Sequence, residues 1–330
     1  MALTEANKRA RLTGIGASEI PAVIGISPWS SPIQVYESKV SPVEEEPNGE
    51  PNDDLERGQF QEDGTLRWTA HRRKILVIPN DELVRHATHH FCIATPDGYE
   101  VEPPLADGDA NIVRVGVIEV KSPRSGDRWK KPDEDPRGFP NYYLAQVQWQ
   151  MLATGLPRAI LSAVVWGRLW IYDIEADADL QSALLEAGEA FWRRVEERDP
   201  PPLEKPGDSS VYGRLFEQKT DKLVQPADVA EAVVLAREYR KLKALEKAAK
   251  DDAEVIKGRL VEQIGAAQGL DLGEHGIVTW NQAKDTNKTE WEKVARESGT
   301  THEIIAKHTK TVRGSRRIAV KLVGEPEGDE

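Results

Sequence analysis

The chain has 330 residues, 39% of them hydrophobic and 30% charged, with a formal net charge of −12. That balance predicts a soluble globular protein and excludes a disordered one. No apolar stretch is long enough to span a bilayer, and the polar segment Met1 to Arg11 lacks a signal peptide's apolar core. Cys92 is the only cysteine, which excludes an intrachain disulfide and a four-cysteine iron–sulfur cluster and leads us to expect a reducing cytoplasm. The acid is unevenly placed. It gathers at Glu44-Glu45-Glu46, Glu50, Asp53-Asp54 and Glu56, in a Pro/Gly/Asn-rich stretch that reads as a surface loop, and again at Gly324 to Glu330. Basic residues cluster at Lys121 to Lys131 and Lys307 to Arg317, so an acidic exterior is compatible with a basic groove.

In chain order, residues 18–24 read as a short helix with Ser18 as N-cap and Gly25 as its stop, and Ser31-Pro32 opens a second helix. Leu55 to Ala70 reads as helical, with Leu55, Phe60 and Leu66 as its buried positions. Strands follow at Ile75 to Pro79, Leu83 to Ile93 and Ile112 to Lys121. A helix over Tyr143 to Thr154 ends at Gly155, and a hairpin joins Ala159–Val165 to Leu169–Ile174 across Gly167-Arg168. Leu180 to Glu197 is helical again. The order predicts an α/β core, a mixed sheet flanked by helices, over residues 1–200. The Pro-rich run at 201–210 reads as a linker, and 211–330 as a mostly helical C-terminal region with short strands. In that region Ala227 to Ala267 forms one long amphipathic segment, suited to docking on the core or to self-association. Gly276–Trp280 and Arg317–Lys321 read as strands that pair with each other.

The chemistry concentrates at Asp97, in the turn Ala94-Thr95-Pro96-Asp97-Gly98, and at Glu119-Val120-Lys121. Glu119 and Lys121 lie two apart on a strand and so share a face, beside Asp97 if the two strands pair. Glu and Lys at this spacing more often form a solvated polar face, but the run around Glu119 is apolar on both faces, where a charge needs a partner. Two carboxylates suit Mg²⁺, which prefers oxygen ligands. A neighbouring ammonium can polarise a water or offset charge building on a phosphate. Together these groups are equipment for hydrolysing a phosphodiester.

Five blocks in order carry a wider resemblance: Arg11-Leu12-Thr13-Gly14-Ile15-Gly16-Ala17-Ser18-Glu19 with its continuation to Trp29; Arg57-Gly58-Gln59-Phe60-Gln61-Glu62; Asp97; Glu119-Val120-Lys121; and Tyr142, Tyr143 with Ala145-Gln146-Val147-Gln148-Trp149-Gln150-Met151. Over roughly the first 175–200 residues, about one domain, the chain resembles the YqaJ family of phage-type exonucleases, which is related to lambda exonuclease within the PD-(D/E)xK nuclease superfamily. The resemblance implies a restriction-endonuclease-like core and a Mg²⁺-dependent exonuclease, with Mn²⁺ as a substitute. Such an enzyme degrades one strand of linear duplex DNA from the 5′ end and leaves a 3′ single strand. It implies that Asp97, Glu119 and the Val120 carbonyl bind metal, that Lys121 positions or activates the attacking water, that Glu62 supports a second metal, and that Gln146 borders the site. It places the DNA 5′-phosphate at Arg11 and Ser18. It further implies partnership with a single-strand annealing protein of the RecT or Red-beta type and a ring-shaped homo-oligomer, a trimer or tetramer. An endonuclease on the same fold and a catalytically inactive DNA-binding protein are the alternatives.

The remaining features have plainer readings. Gly14-Ile15-Gly16 lacks the preceding strand and third glycine of a dinucleotide site. His86, His89, His90 and Cys92 do not follow a zinc spacing. Trp29, Trp149, Trp166 and Trp170 are core residues by default, with Trp29 also a candidate contact to a DNA end.

Overall fold

The computed structural model describes residues 10–41, 53–102, 112–216, 223–280 and 298–299. The chain divides into two compact units, residues 1–217 and 218–330. The first is built as β1 (Ile15–Gly16), α1 (Ile20–Val23), α2 (Pro32–Val40), α3 (Asp53–Arg73), β2 (Leu76–Pro79), β3 (Val84–Arg85), β4 (Cys92–Ala94), β5 (Gly98–Val101), β6 (Arg114–Lys121), α4 (Asn141–Thr154), β7 (Arg158–Val165), β8 (Arg168–Glu175), α5 (Ala178–Glu197) and α6 (Asp208–Leu215).

Five strands form the main sheet, in the order β2-β5-β6-β7-β8. All neighbours are antiparallel except β6 and β7, which run parallel. A parallel pair needs a crossover, and α4 supplies it. Alternation along β6 then sorts its side chains. Ile118 and Val120 pack with Leu66 of α3 and Ile160, while Val117 packs with Val147 and Met151 of α4. The result is the expected α/β core, a mixed sheet with helices on both faces. A second, three-stranded sheet, β1-β4-β3, carries the N-terminal segment.

Several elements differ in detail from the sequence reading. The strand predicted over 83–93 is a hairpin of two short strands, because His86 Nδ1 accepts the backbone N–H groups of Thr88 (3.2 Å) and His89 (3.1 Å) and turns the chain. Phe60 is 79% exposed although Leu66 is buried. Six residues apart on a helix is about 240° around its axis, so the two cannot share a face. The side chain of Leu55 lies outside the described residues. Trp149 and Trp170 are core residues, whereas Trp29 and Trp166 are 68% and 67% exposed. Trp166 and Gly167 form the two-residue turn between β7 and β8, with φ of 49° and 73°, and a hairpin tip projects its side chain outward.

The first unit runs past the prolines at 200–202. Buried Asp208 accepts Ser31 Oγ (2.6 Å) at one oxygen and the N–H groups of Glu204 (2.9 Å) and Lys205 (2.8 Å) at the other. Arg214 reaches back from α6 to both oxygens of Glu37 on α2 (2.6 and 2.7 Å).

The second unit holds α7 (Val229–Ile264), an unbroken helix of 36 residues capped by Asp228, which accepts the Glu231 N–H at 2.9 Å. Its apolar positions Leu235, Leu242, Leu245, Val255 and Ile256 are each more than half exposed. The strand β9 (Gly269–Asp271) pairs antiparallel with β10 (Ile277–Thr279). The other strand expected there, 317–321, lies outside the described residues, as do the basic cluster at 307–317 and residues 44–52 of the acidic loop read over 44–56. Asp53, Asp54 and Glu56 of that loop belong instead to the first turn of α3.

Burial alone would raise the Asp208 carboxyl, but Ser31 Oγ and the two backbone N–H groups hold it below its ordinary value of 3.8. Its contribution to stability is therefore full above pH 3.8 and is lost as pH falls through the lower folded value. We expect Asp208→Ala to cost about 1–3 kcal/mol at neutral pH, the cost of leaving such donors unpaired. Urea unfolding of parent and variant at pH 7 checks this, and equal midpoints would refute it.

Candidate active site

Glu119 sits in the middle of the sheet with 2% exposure, between Ile118 and Val120, which are also buried. A carboxylate in that position must be compensated. Its Oε1 accepts Gln146 Nε2 (2.6 Å) and Lys121 Nζ, and its Oε2 accepts Gln150 Nε2 (2.5 Å). Gln146 and Gln150 are four apart on α4 and so face the sheet together. Gln148, between them, turns away and donates to the Glu175 carbonyl at 2.8 Å.

Asp97 stands immediately before β5, which pairs with β6 so that Gly98 lies opposite Ile118. Its Oδ2 accepts the Val120 N–H at 2.7 Å, which fixes the carboxyl at the end of β6 that carries Glu119 and Lys121. The backbone is held from the other side. Asn80 donates its N–H to the Asp97 carbonyl (3.0 Å) and its side-chain amide to the Pro96 carbonyl (2.9 Å). Gly98 is required for this approach, since a Cβ there would stand 2.8 Å from the Ile78 carbonyl oxygen. Helix α3 is tied to the same end of the sheet, where Arg57 donates to the Ser122 carbonyl (3.2 Å) and Ser122 Oγ donates to Gln61. Glu62 follows Gln61 on this helix and is half-buried.

The three carboxylates feel one another. Burial, then Glu119 and to a smaller extent Glu62, raise Asp97 well above its ordinary value. Burial raises Glu62 as well, with Glu119 adding to the rise. Burial would lower Lys121, but Glu119 and Asp97 more than offset it and push the ammonium up to about 12. Lys121 is thus a fixed cation at neutral pH. It also lies 5.2 Å from the Tyr143 ring centroid. Tyr143 packs on Tyr142 (4.5 Å between centroids), and Tyr142 meets Trp29 edge to face at 4.9 Å. An aromatic run therefore leads from Lys121 to the exposed indole of Trp29.

The predicted residues thus fall into groups. Asp97, Glu119, Val120, Lys121 and Gln146 meet directly, Glu62 lies within electrostatic range, and Trp29 is at the rim. Gln150, Tyr142 and Tyr143 belong to the site too. The four-residue step from Gln146 was the signal for Gln150. Ser18 is exposed but does not cap a helix. The N-cap of α1 is Glu19, whose Oε2 accepts the Gly16 N–H (2.7 Å) and pairs with Lys39 (2.7 Å). The longer carboxylate reaches the turn that Ser18 was expected to close. Arg11 is linked to Lys39 as well, through its carbonyl, which accepts Lys39 Nζ at 2.8 Å. His86, His89 and Cys92 form no metal cluster. Among the described residues no three His, Cys, Asp or Glu side chains converge as a ready-made cage.

The donor set nonetheless fits a hard divalent cation. Its oxygens come from Asp97, Glu119 and Glu62, whose mutual repulsion a dication would relieve. Gln150 Oε1 is a further buried oxygen without a hydrogen-bond partner among the described residues.

A mixed sheet whose adjacent strands bring Pro-Asp and Glu-x-Lys to one end has the arrangement of the PD-(D/E)xK core. Residues 7–157 match the model of the YqaJ-like viral recombinase domain. Among solved structures the chain is similar to LHK-Exo, an alkaline exonuclease from Laribacter hongkongensis, both alone and in complex with dAMP. Each comparison gives 20% identity and a TM-score of 0.46 and covers 59% of this chain and 94% of that one. It is also similar to a phage-related exonuclease from Haemophilus somnus, with 16% identity, a TM-score of 0.39, and coverage of 56% of this chain and 96% of that one. No curated protein matches the chain significantly. Among the described residues no helix is long and apolar enough to cross a membrane.

Because the folded pKa of Asp97 is raised, its ionisation costs stability. The fold is unburdened below the ordinary Asp value of 3.8 and loses stability as pH rises toward the folded value. Asp97→Asn, which keeps an acceptor for the Val120 N–H, should therefore melt at a higher temperature than the parent at pH 8 in EDTA. The gap should close near pH 4. Scanning calorimetry at both pH values checks this, and an unchanged or lower melting temperature at pH 8 contradicts the charge assignment.

Proposed function

We propose that the protein is a Mg²⁺-dependent exonuclease of the phage recombination type, able to use Mn²⁺, that digests one strand of linear duplex DNA from its 5′ end. The observation that carries this reading is the 2.7 Å bond from Val120 N–H to Asp97 Oδ2, which joins the Asp turn to the Glu-x-Lys strand. Asp97 and Glu119 would hold the ion, with the Val120 carbonyl and Glu62 as further oxygens. Bound there, Mg²⁺ supplies Lewis-acid polarisation of the scissile phosphate and a more acidic water.

The chain's own residues do the rest. Lys121, charged across the working pH range, orients the attacking water and offsets the charge that builds on the phosphate oxygens. Gln146 and Gln150 hold the Glu119 carboxylate in one orientation. Arg11 and Ser18 are the 5′-phosphate contacts, on the support of the family match that spans them. Trp29 is exposed beside Tyr142 and would meet the DNA end.

Digestion of linear duplexes with and without a 5′-phosphate, beside closed circles, tests this. With Mg²⁺ the parent should degrade linear DNA, prefer the phosphorylated end and spare circles, and EDTA should stop it. Lys121→Ala should lose at least about 100-fold in rate, the order expected when one transition-state contact is removed, while still binding DNA. Arg11→Ala should slow the phosphorylated substrate more than the hydroxyl one. Undiminished cleavage by Lys121→Ala would remove this site from the mechanism, and rapid cutting of circles would favour an endonuclease.

A closed homo-oligomer, trimer or tetramer, completes the reading, with a single-strand annealing protein as the partner that takes up the 3′ strand. A chain of charge −12 meets long-range repulsion from DNA on an open face. Enclosing the duplex among several subunits concentrates the basic surface where the DNA runs. The exposed stripe of α7 offers apolar area for contact between copies. Light scattering should give a mass above a dimer, and a trap-DNA chase should show processive digestion. A monomer that releases DNA after each cut would refute the ring.

A further inference from the structure

Outside the catalytic cluster, the first unit carries a groove of about 500 Å³ at the end of the β7–β8 hairpin. Trp166 and Trp170 form one wall, with ring centroids 5.8 Å apart and planes at 85°. Lys130, Lys131 and Arg168 also line it, against the single carboxylate of Glu134. An adjoining depression of about 320 Å³ adds Arg72 and Arg73 along the same side, with Asp133 in its lining and Arg73 paired with Asp173 at 2.7 Å. This basic surface stands out in a chain of net charge −12. It takes in the end of the Lys121–Lys131 basic run, which the catalytic geometry does not use.

The groove is fixed in shape. Tyr172 Oη donates to the Lys130 carbonyl at 2.6 Å, and the Lys130 N–H donates to the Gly138 carbonyl at 2.7 Å. A Cβ on Gly126 would stand 2.6 Å from Trp166 Cε2, so the segment after β6 packs against one edge of the indole. The rest of that ring is open, and Trp166 is 67% exposed. The cations are accessible as well. Lys131 pairs with Glu134 at 3.1 Å and Lys130 with Asp135 at 3.6 Å, exposed pairs of the kind that give way readily to a stronger anion. Topology puts the groove near the reaction. β7 runs parallel to β6 with Ala163 opposite Lys121, and Trp166 lies three residues further on, about 10 Å beyond the catalytic end of the strand.

We infer that this groove binds single-stranded DNA, stacking a base on Trp166 and running the backbone past Lys130, Lys131 and Arg168. An open indole rimmed by cations suits a strand whose bases are free to stack, and a duplex keeps those faces inside. The inference rests on the nuclease reading for the source of the strand, which would be a strand freed from the duplex at the neighbouring site.

The test measures anisotropy of a fluorescein-labelled oligothymidylate of about 20 nucleotides, longer than a typical single-strand site, with the full chain in EDTA. Trp166→Asn removes the ring while suiting the left-handed backbone (φ 49°) of this position. It should weaken binding about 5- to 100-fold, with the salt dependence unchanged. Trp166→Phe should recover most of the affinity. The double change Lys130→Ser and Lys131→Ser should reduce the slope of log K against log salt by about 1.4, as two lost phosphate contacts require. Parent-like binding by Trp166→Asn and by the double variant would overturn the inference. So would equal, Trp166-dependent binding of a blunt duplex, or displacement by a poly-aspartate peptide as effective as by the oligonucleotide, which would indicate an acidic protein partner. Mg²⁺-dependent digestion of linear duplex is measured on the same preparations. Intact digestion with Trp166-independent binding sinks this inference alone. Trp166-dependent binding without digestion sinks the nuclease reading alone.

Discussion

A carboxylate buried in the centre of a sheet organises this protein. Glu119 is desolvated on a strand whose neighbouring side chains are apolar, and burial of such a charge is tolerated only with full compensation. Three donors meet it: the Lys121 ammonium from its own strand and the Gln146 and Gln150 amides from the crossover helix. Each of those groups is thereby fixed. The same arrangement keeps Lys121 charged and leaves Asp97, which has a backbone N–H but no cation of its own at hydrogen-bond distance among the described residues, as the carboxyl raised by its neighbours.

The polarity of this cluster explains how a stable sheet can carry crowded carboxylates. Its positive group is held by contacts already made in the folded chain. Its negative groups repel one another, and that repulsion is strain a divalent ion can relieve. The strain lies at the edge of the core, at a turn and on a half-buried helix, while Glu119 itself is secured. The carboxylate buried in the sheet is thus the fully compensated one, and the less compensated ones lie at the rim of the core.

Much of this was legible in the sequence because it depends on short-range rules. Glu119 and Lys121 two apart on a strand, and an apolar run that leaves a carboxylate unexplained, pointed to this cluster, and the five-block resemblance added Glu62 and Gln146. The Gly155 helix stop placed α4 to within a few residues, and four strands of the main sheet were legible. β5 was not, and the strand expected over 83–93 beside Asp97 lies in the smaller sheet. What escaped depends on long-range packing. The four-residue step sets Gln146 and Gln150 on one face of α4 and Gln148 on another, but only the crossover makes the first face meet Glu119 and brings Gln148 to Glu175. Ser18 was a reasonable cap until the fold brought Lys39 beside Glu19. Trp166 looked like core because tryptophan usually is, and only the two-residue turn between β7 and β8 turns it outward.

The parallel pairing of β6 and β7 has a consequence for how the protein assembles. Those strands cannot join without α4 passing between them in the chain, and α4 is also the element that carries the two amides to Glu119. A sheet closed over Glu119 before the helix docked would hold a desolvated carboxylate with two of its three donors missing. Docking of the helix and closure of the sheet therefore stabilise each other. An intact central sheet thus goes with an assembled set of donors around Glu119.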